Sequence, residues 1–169
     1  MAATFIKIAT VTVGSGGASN IEFTSIPSTY TDLCCLLSAR YSNSGTQNTV
    51  WLQSLNGNTS LTNYWMRGGD GYASSDASGG IYSGQVPAAS ASANTFTNTE
   101  FMIGGYSTAN KKPIAVMSTQ ENQTTAVYRS YTTGYWDNTS TVSSFIIDPD
   151  GANSFAEGTK AILYGIKKN

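Results

Sequence analysis

Apolar and polar residues alternate with a period of two along most of this 169-residue chain, which is the spacing of a β-strand that buries one face. The alternation comes in short runs that end at Gly, Asn, Asp or Pro, and helical periodicity is almost absent. Strands are predicted at 5–13, 21–23, 31–41, 50–55, 95–106, 113–120, 124–136, 140–148 and 158–168. The pattern predicts one all-β domain over residues 1–169, an antiparallel β-sandwich of about nine or ten strands with a jelly-roll-like topology.

Two segments between these runs have a different character. The Ala- and Ser-rich stretch that begins at Pro87 starts after a proline and is predicted to be a loop. Residues 63–84 hold two short aromatic-bearing pieces around a loop of Gly, Ser and Asp, which is the part of the chain best suited to an exposed functional role.

The run 31–41, TDLCCLLSARY, is apolar on both faces. Alternate residues from Leu33 to Tyr41 share one face, and Cys34 and Leu36 share the other. Neighbours in a strand point in opposite directions, so Cys34 and Cys35 are predicted to be free thiols rather than a disulfide. Cys35 is expected in the core, and Cys34 is expected to lie with Leu36 under a loop or a neighbouring subunit.

Charge and hydropathy exclude several partners. Charged residues make up 11% of the chain and the net charge is −1, so there is no basic surplus to bind nucleic acid or anionic lipid. No run approaches the roughly 20 apolar residues of a membrane span. The N-terminus lacks a basic segment followed by an apolar one, so we expect a chain that begins at Met1 or Ala2 and is made in a cytoplasm.

The chain also lacks the residues of common catalytic centres. It contains no histidine, which excludes Ser-His-Asp and Cys-His catalysis and histidine zinc sites. No phosphate-binding loop is present, and two cysteines are too few for a four-thiolate zinc site. We therefore predict no catalytic residues, no metal and no cofactor. The DPDG sequence at 148–151 is better explained as a tight turn than as a calcium loop.

Carboxylates leave one enzymatic alternative open. A glycoside hydrolase needs two carboxyl groups facing each other at about 5–9.5 Å. The candidates are Asp70, Asp76, Glu100, Glu121, Asp137, Asp148 and Asp150.

Aromatic residues near the polar loop offer a binding alternative. Exposed rings beside carboxylates and amides suit a sugar-binding surface, through apolar ring contacts and hydrogen bonds. The candidate surface consists of Tyr64, Trp65, Asp70, Tyr72, Asp76 and Tyr82. The competing interpretation is that these rings fill the core or a subunit interface.

Both ends of the chain resemble a family of short structural proteins of tailed bacteriophages, especially phages of cyanobacteria. The resemblance lies in TFIKIA at 4–9, IPSTYTDL at 26–33, SAR at 38–40 and GTKAILYGI at 158–166. It implies a non-enzymatic component of the virion exterior: a capsid decoration or cement protein, a head fibre or knob, or part of a tail fibre.

The resemblance implies partners as well. We expect the chain to be made in the bacterial host cytoplasm, to form a homo-oligomer, as a trimer or an array, and to contact other virion proteins such as the major capsid or tail proteins. The expected assembly contacts are Phe5, Ile6, Ile8, Cys34 and Leu36. The alternative is a virion module that binds a host surface glycan.

Overall fold

Eleven β-strands and one short 3-10 turn form the described part of the chain. The structure is a computed structural model that describes residues 4–60, 63–69, 80–121 and 128–167, with the backbone alone for 67–69. The strands are β1 (Thr4–Thr12), β2 (Ile21–Phe23), β3 (Asp32–Ser38), β4 (Gln47–Gln53), β5 (Tyr64–Gly69), β6 (Gly80–Pro87), β7 (Asn98–Ile103), β8 (Lys112–Gln120), β9 (Tyr128–Trp136), β10 (Phe145–Pro149) and β11 (Lys160–Lys167). The turn spans Leu55–Gly57, and the described residues contain no α-helix.

The strands form two antiparallel sheets packed as a sandwich, which confirms the predicted fold class. The larger sheet has the order β1-β11-β3-β7-β8-β9-β5, and the smaller has the order β2-β10-β4-β6. Four pairs are nested in the sequence, β4 with β6, β3 with β7, β2 with β10 and β1 with β11. This is the pattern of a long hairpin rolled into a jelly roll. The other three strands, β8, β9 and β5, extend the larger sheet beyond β7.

The core lies between the two sheets and follows the predicted alternation. In β3 the inward residues Leu33, Cys35 and Leu37 are buried. They meet apolar side chains of the smaller sheet and its neighbours in one continuous cluster, which includes Ile21, Phe23, Val50, Leu52, Ile81, Phe145 and Ile147. Alternation with a single buried face is what fixes the register of such strands.

Two sequence predictions need correction. The segment 63–84 supplies two strands, β5 and β6, which brings the number above the nine or ten expected. The strand predicted at 140–148 begins only at Phe145. The reason is local: the side-chain oxygen of Asn56 accepts hydrogen bonds from the backbone of Ser143 at 2.7 Å and of Ser144 at 3.2 Å, so these amides are not used in a sheet ladder.

The segment IPSTYTDL at 26–33, which carries part of the phage resemblance, packs against the larger sheet and one of its loops. The ring of Tyr30 covers Gly165, where a Cβ atom would lie 2.2 Å from the ring. Asp32 accepts a hydrogen bond from the backbone of Gly105 at 2.8 Å. Tyr30 is therefore explained by its packing on Gly165, and Asp32 by its hydrogen bond to the loop that contains Gly105.

Arg40 fixes the loop that was predicted after Pro87. Its guanidinium donates to the backbone oxygens of Ser92 at 2.8 Å, Ala91 at 2.9 Å and Thr95 at 3.1 Å. A planar group with five donors suits several carbonyls that point to one place. The serine and arginine of the SAR segment thus end β3 and anchor the connection between β6 and β7.

Lys112 is a fully buried cation at the start of β8. Its Nζ donates to the backbone oxygens of Thr108 at 2.6 Å and Thr139 at 3.2 Å, and also to that of Asn110. Burial lowers the pKa of this amine. Because its donors are directed at loop carbonyls, Lys112 ties two loops together.

Candidate functional site

The outward side of the seven-stranded sheet, here called the large-sheet face, carries a row of mostly apolar side chains. Leu36 lies in register with Ile162 on β11 and with Glu100 on β7. Glu100 is paired with Met117 on β8, which is paired with Tyr131 on β9. The row therefore crosses five adjacent strands, and Glu100 is its only charged member.

Exposure identifies this face as unusual. Six large hydrophobic side chains are exposed among the described residues, and five of them point outward from the larger sheet. Their exposed fractions are 56% for Phe5, 39% for Leu36, 41% for Trp65, 56% for Met117 and 60% for Tyr131. Single exposed apolar residues are normal, but a group on one face marks an interaction surface.

Aromatic contacts hold the two ends of this face in place. At one end the rings of Phe5 and Tyr164 meet edge to face at 6.2 Å. At the other end Trp65 stacks on Tyr135 with ring centroids 6.4 Å apart and an interplanar angle of 17°. Lys111 lies 5.3 Å from the Tyr135 ring centroid and 2.9 Å from a carboxylate oxygen of Asp137.

The two cysteines lie on opposite sides of this sheet, as predicted, and both are buried free thiols. Cys35 faces the core, where burial raises the pKa of its thiol. Cys34 points to the large-sheet face, between Tyr164 and Met102 in register. Burial, with a smaller contribution from the Glu100 carboxylate, raises the pKa of Cys34 to about 11. A protonated, covered thiol is a poor nucleophile, so neither cysteine is a candidate catalytic group.

The three described residues of the predicted sugar surface do not form one surface. The ring of Tyr64 is wholly buried, and its hydroxyl donates to the backbone oxygen of Asn58 at 2.7 Å and accepts from the amide of Leu55 at 2.9 Å. Trp65 points outward from the larger sheet and Tyr82 outward from the smaller one, on opposite sides of the sandwich. Asp70, Tyr72 and Asp76 lie outside the described residues.

The predicted assembly contacts divide in a similar way. Phe5 and Leu36 lie on the large-sheet face. Ile6 is paired with Gly165 and points to the other side of β1, while Ile8 lies at the bulge of that strand and packs partly against the core. Cys34 is 3% exposed, so it offers almost no surface to a partner.

The outward side of the smaller sheet, here called the small-sheet face, has another composition. Trp51 and Tyr82 meet edge to face with ring centroids 5.6 Å apart. Around them are polar side chains, namely Thr49, Gln53, Gln85 and Asp148, all partly exposed. The sequence interpretation missed Trp51 and Met117 alike, although both occupy outward positions of a period-two pattern.

Two of the candidate carboxylates lie on opposite sides of the sandwich. Glu100 lies on the large-sheet face and Asp148 on the small-sheet face, with the core between them. Burial raises the pKa of Asp148, and the neighbouring Asp150 adds to this effect. The turn comes later than predicted, because Asp148 and Pro149 are the last residues of β10 and the chain turns at Gly151, whose φ is +67°.

Two features are missing from the described part of the chain. No group of three or more His, Cys, Asp and Glu side chains lies close enough to hold a metal ion. No helix is long and apolar enough to cross a membrane.

In comparisons with known proteins, no family model and no curated protein sequence matched this chain.

Proposed function

We propose that this protein is a non-enzymatic structural subunit of a tailed-bacteriophage virion, carried on the particle exterior and assembled from copies of itself through the large-sheet face. The main support for the proposal is the row of outward-pointing apolar side chains, namely Leu36, Met117 and Tyr131. A capsid decoration protein, a head fibre or knob and a tail-fibre part would all use such a surface. The resemblance of both chain ends to phage structural proteins supports the same role.

The dimensions of the face suit a second copy of the chain. Seven strands spaced at about 4.8 Å span about 29 Å, and seven residues of strand extend about 24 Å. The product, about 700 Å², approaches the ~800 Å² that each partner contributes to a standard protein interface. A surface of this size is large enough for stable self-association.

The composition of the face also favours a partner that resembles it. Aromatic residues and methionine are enriched at the centres of interfaces, and charged residues are depleted there. Lys7 and Lys160 lie toward the β1 edge and Glu100 lies in the middle. Two copies packed face to face therefore have both signs of charge available for pairing.

The proposal is tested on the purified protein and on the virus particle. Sedimentation of the full chain should show an oligomer, and mass spectrometry of purified particles of the phage that encodes it should detect the protein. Antibody labelling without disruption of the particles should then place it on their exterior. A chain that stays monomeric and is missing from purified particles would refute the proposal.

A further inference from the structure

The small-sheet face holds an aromatic pair whose position is fixed. Trp51 on β4 and Tyr82 on β6 are in register, and their rings cross at 81°. Both rings are partly exposed, and both also pack against residues of the core. Rings held in this way present apolar surface to a ligand at little cost in conformational entropy.

Hydrogen-bonding groups lie on both sides of this pair. The amide nitrogen of Gln85 donates to the hydroxyl of Tyr82 at 3.3 Å and to that of Thr49 at 3.2 Å. On the other side, Asp148 of β10 is in register with Trp51. Asp148, Trp51 and Tyr82 thus form one row across three strands, and Thr49 and Gln85 lie in the next.

The charge on this face has one sign. None of the four strands of the smaller sheet contains Lys or Arg, whereas Glu22 and Asp148 both point outward. A carboxylate accepts hydrogen bonds from hydroxyl groups, and so does the side-chain carbonyl oxygen of Gln85, whose N–H groups already bind Thr49 and Tyr82. These groups suit a ligand with many hydroxyls and repel one that carries sulfate or carboxylate.

We propose that the small-sheet face binds a neutral carbohydrate, with a pyranose ring against Trp51 and Tyr82 and its hydroxyls hydrogen-bonded by Asp148 and Gln85. The aromatic rings contact the apolar C–H face of the sugar, and the polar groups read its hydroxyls. The site differs from the sugar surface predicted from the sequence, with which it shares Tyr82 alone. It does not depend on the proposed assembly role, because it lies on the opposite side of the sandwich.

The test uses the full-length protein on a printed array of neutral hexose oligosaccharides with gluco, manno and galacto configurations, together with sulfated and uronic-acid glycans. The neutral glycan that binds best is then titrated by isothermal titration calorimetry, whose signal does not depend on the tryptophan that Trp51→Ala removes. Trp51→Ala should weaken its binding about tenfold or more. Trp65→Ala is the matched control, since it removes an exposed tryptophan from the other face, and it should leave the affinity unchanged.

Three further variants keep the test decisive if Trp51→Ala does not fold. Gln85→Ala should weaken binding of the same neutral glycan, and Tyr82→Phe, which keeps the ring, should weaken it less than Tyr82→Ala. The proposal is overturned if no neutral glycan binds at about 1 mM, if only anionic glycans bind, or if Trp65→Ala weakens binding as much as the small-sheet variants do.

Discussion

The two outward faces of this sandwich are built by the same alternation of strand residues, yet they differ in chemistry. The large-sheet face carries Leu36, Met117 and Tyr131 in one row with Glu100 as its single charge. The small-sheet face carries Trp51 and Tyr82 among amide, hydroxyl and carboxylate groups. A row of apolar side chains with a single charged member suits contact with another apolar surface, whereas rings beside several hydrogen-bonding groups suit a small polar ligand.

The difference shows why burial of the inward face cannot explain the outward residues. Folding needs the core cluster between the sheets, and it would tolerate polar residues at nearly every outward position of β8 and β9. Exposed Met117 and Tyr131 do little for the isolated chain. The self-assembly proposed above would account for them.

The largest effect is expected from charges placed in the apolar row. Leu36→Asp combined with Met117→Glu puts two carboxylates on either side of Glu100, and self-association should weaken about 100-fold or more because charges would be buried without partners. Analytical ultracentrifugation over a concentration series measures this change. The matched control is Ile146→Glu on the small-sheet face, which should associate like the parent protein. Equal weakening by the control would remove the distinction between the faces.

A smaller effect, on the free energy of unfolding, is expected for substitutions in β3, where the two thiols lie on opposite sides of one sheet. Cys35→Ser buries a hydroxyl in the apolar core and should lower the free energy of unfolding by about 2 kcal/mol. Cys34→Ser should cost about half as much, since its side of the sheet is closer to solvent and to polar neighbours. Urea unfolding of both variants gives the comparison. A greater loss for Cys34→Ser would contradict the assignment of Cys35 to the core.

Single tryptophan substitutions compare the contributions of the two faces to self-association. Trp65→Ala should weaken self-association about tenfold, about 1.4 kcal/mol, because the residue lies near the edge of the large-sheet face. Trp51→Ala should leave self-association unchanged. Sedimentation of the two variants at matched concentrations measures both effects, and the reverse order would assign assembly to the small-sheet face.

The smallest effect concerns pH and the Cys34 thiol. Its pKa is raised from 9.0 to about 11 in the folded chain. The resulting stabilisation is fully present below pH 9 and is lost as the pH rises toward 11, because the unfolded thiol ionises first. The parent protein should therefore lose more stability between these pH values than Cys34→Ala. Urea unfolding of both at pH 8, 9, 10 and 11 tests this, and parallel curves would show that the thiol is not shielded.

The fold class and the buried face of β3 could be predicted from the sequence, because an alternation of period two indicates directly which residues are buried. It was not sufficient for the composition of either outward face. Leu36, Met117 and Tyr131 are far apart in the chain and become neighbours only through strand order and register. Periodicity alone does not reveal that order.

The aromatic segment after residue 62 shows a second limit. Tyr64 and Trp65 are adjacent, and one is buried while the other is exposed. The Gly-rich sequence that follows gives no further alternation from which the inward residue could be chosen. Tyr64 is held inward because its hydroxyl accepts a hydrogen bond from the amide of Leu55 and donates one to the backbone oxygen of Asn58, and these contacts depend on tertiary structure.

Hydroxyl-radical footprinting tests most directly the claim that the large-sheet face is the assembly surface. The parent protein is labelled as an oligomer and, after dilution, as dissociated subunits, and oxidation is measured by mass spectrometry at both faces. Met117, Tyr131 and Trp65 should be protected in the oligomer, while Trp51 and Tyr82 should react equally in both states. Protection of Trp51 and Tyr82 with continued oxidation of Met117 would contradict the account.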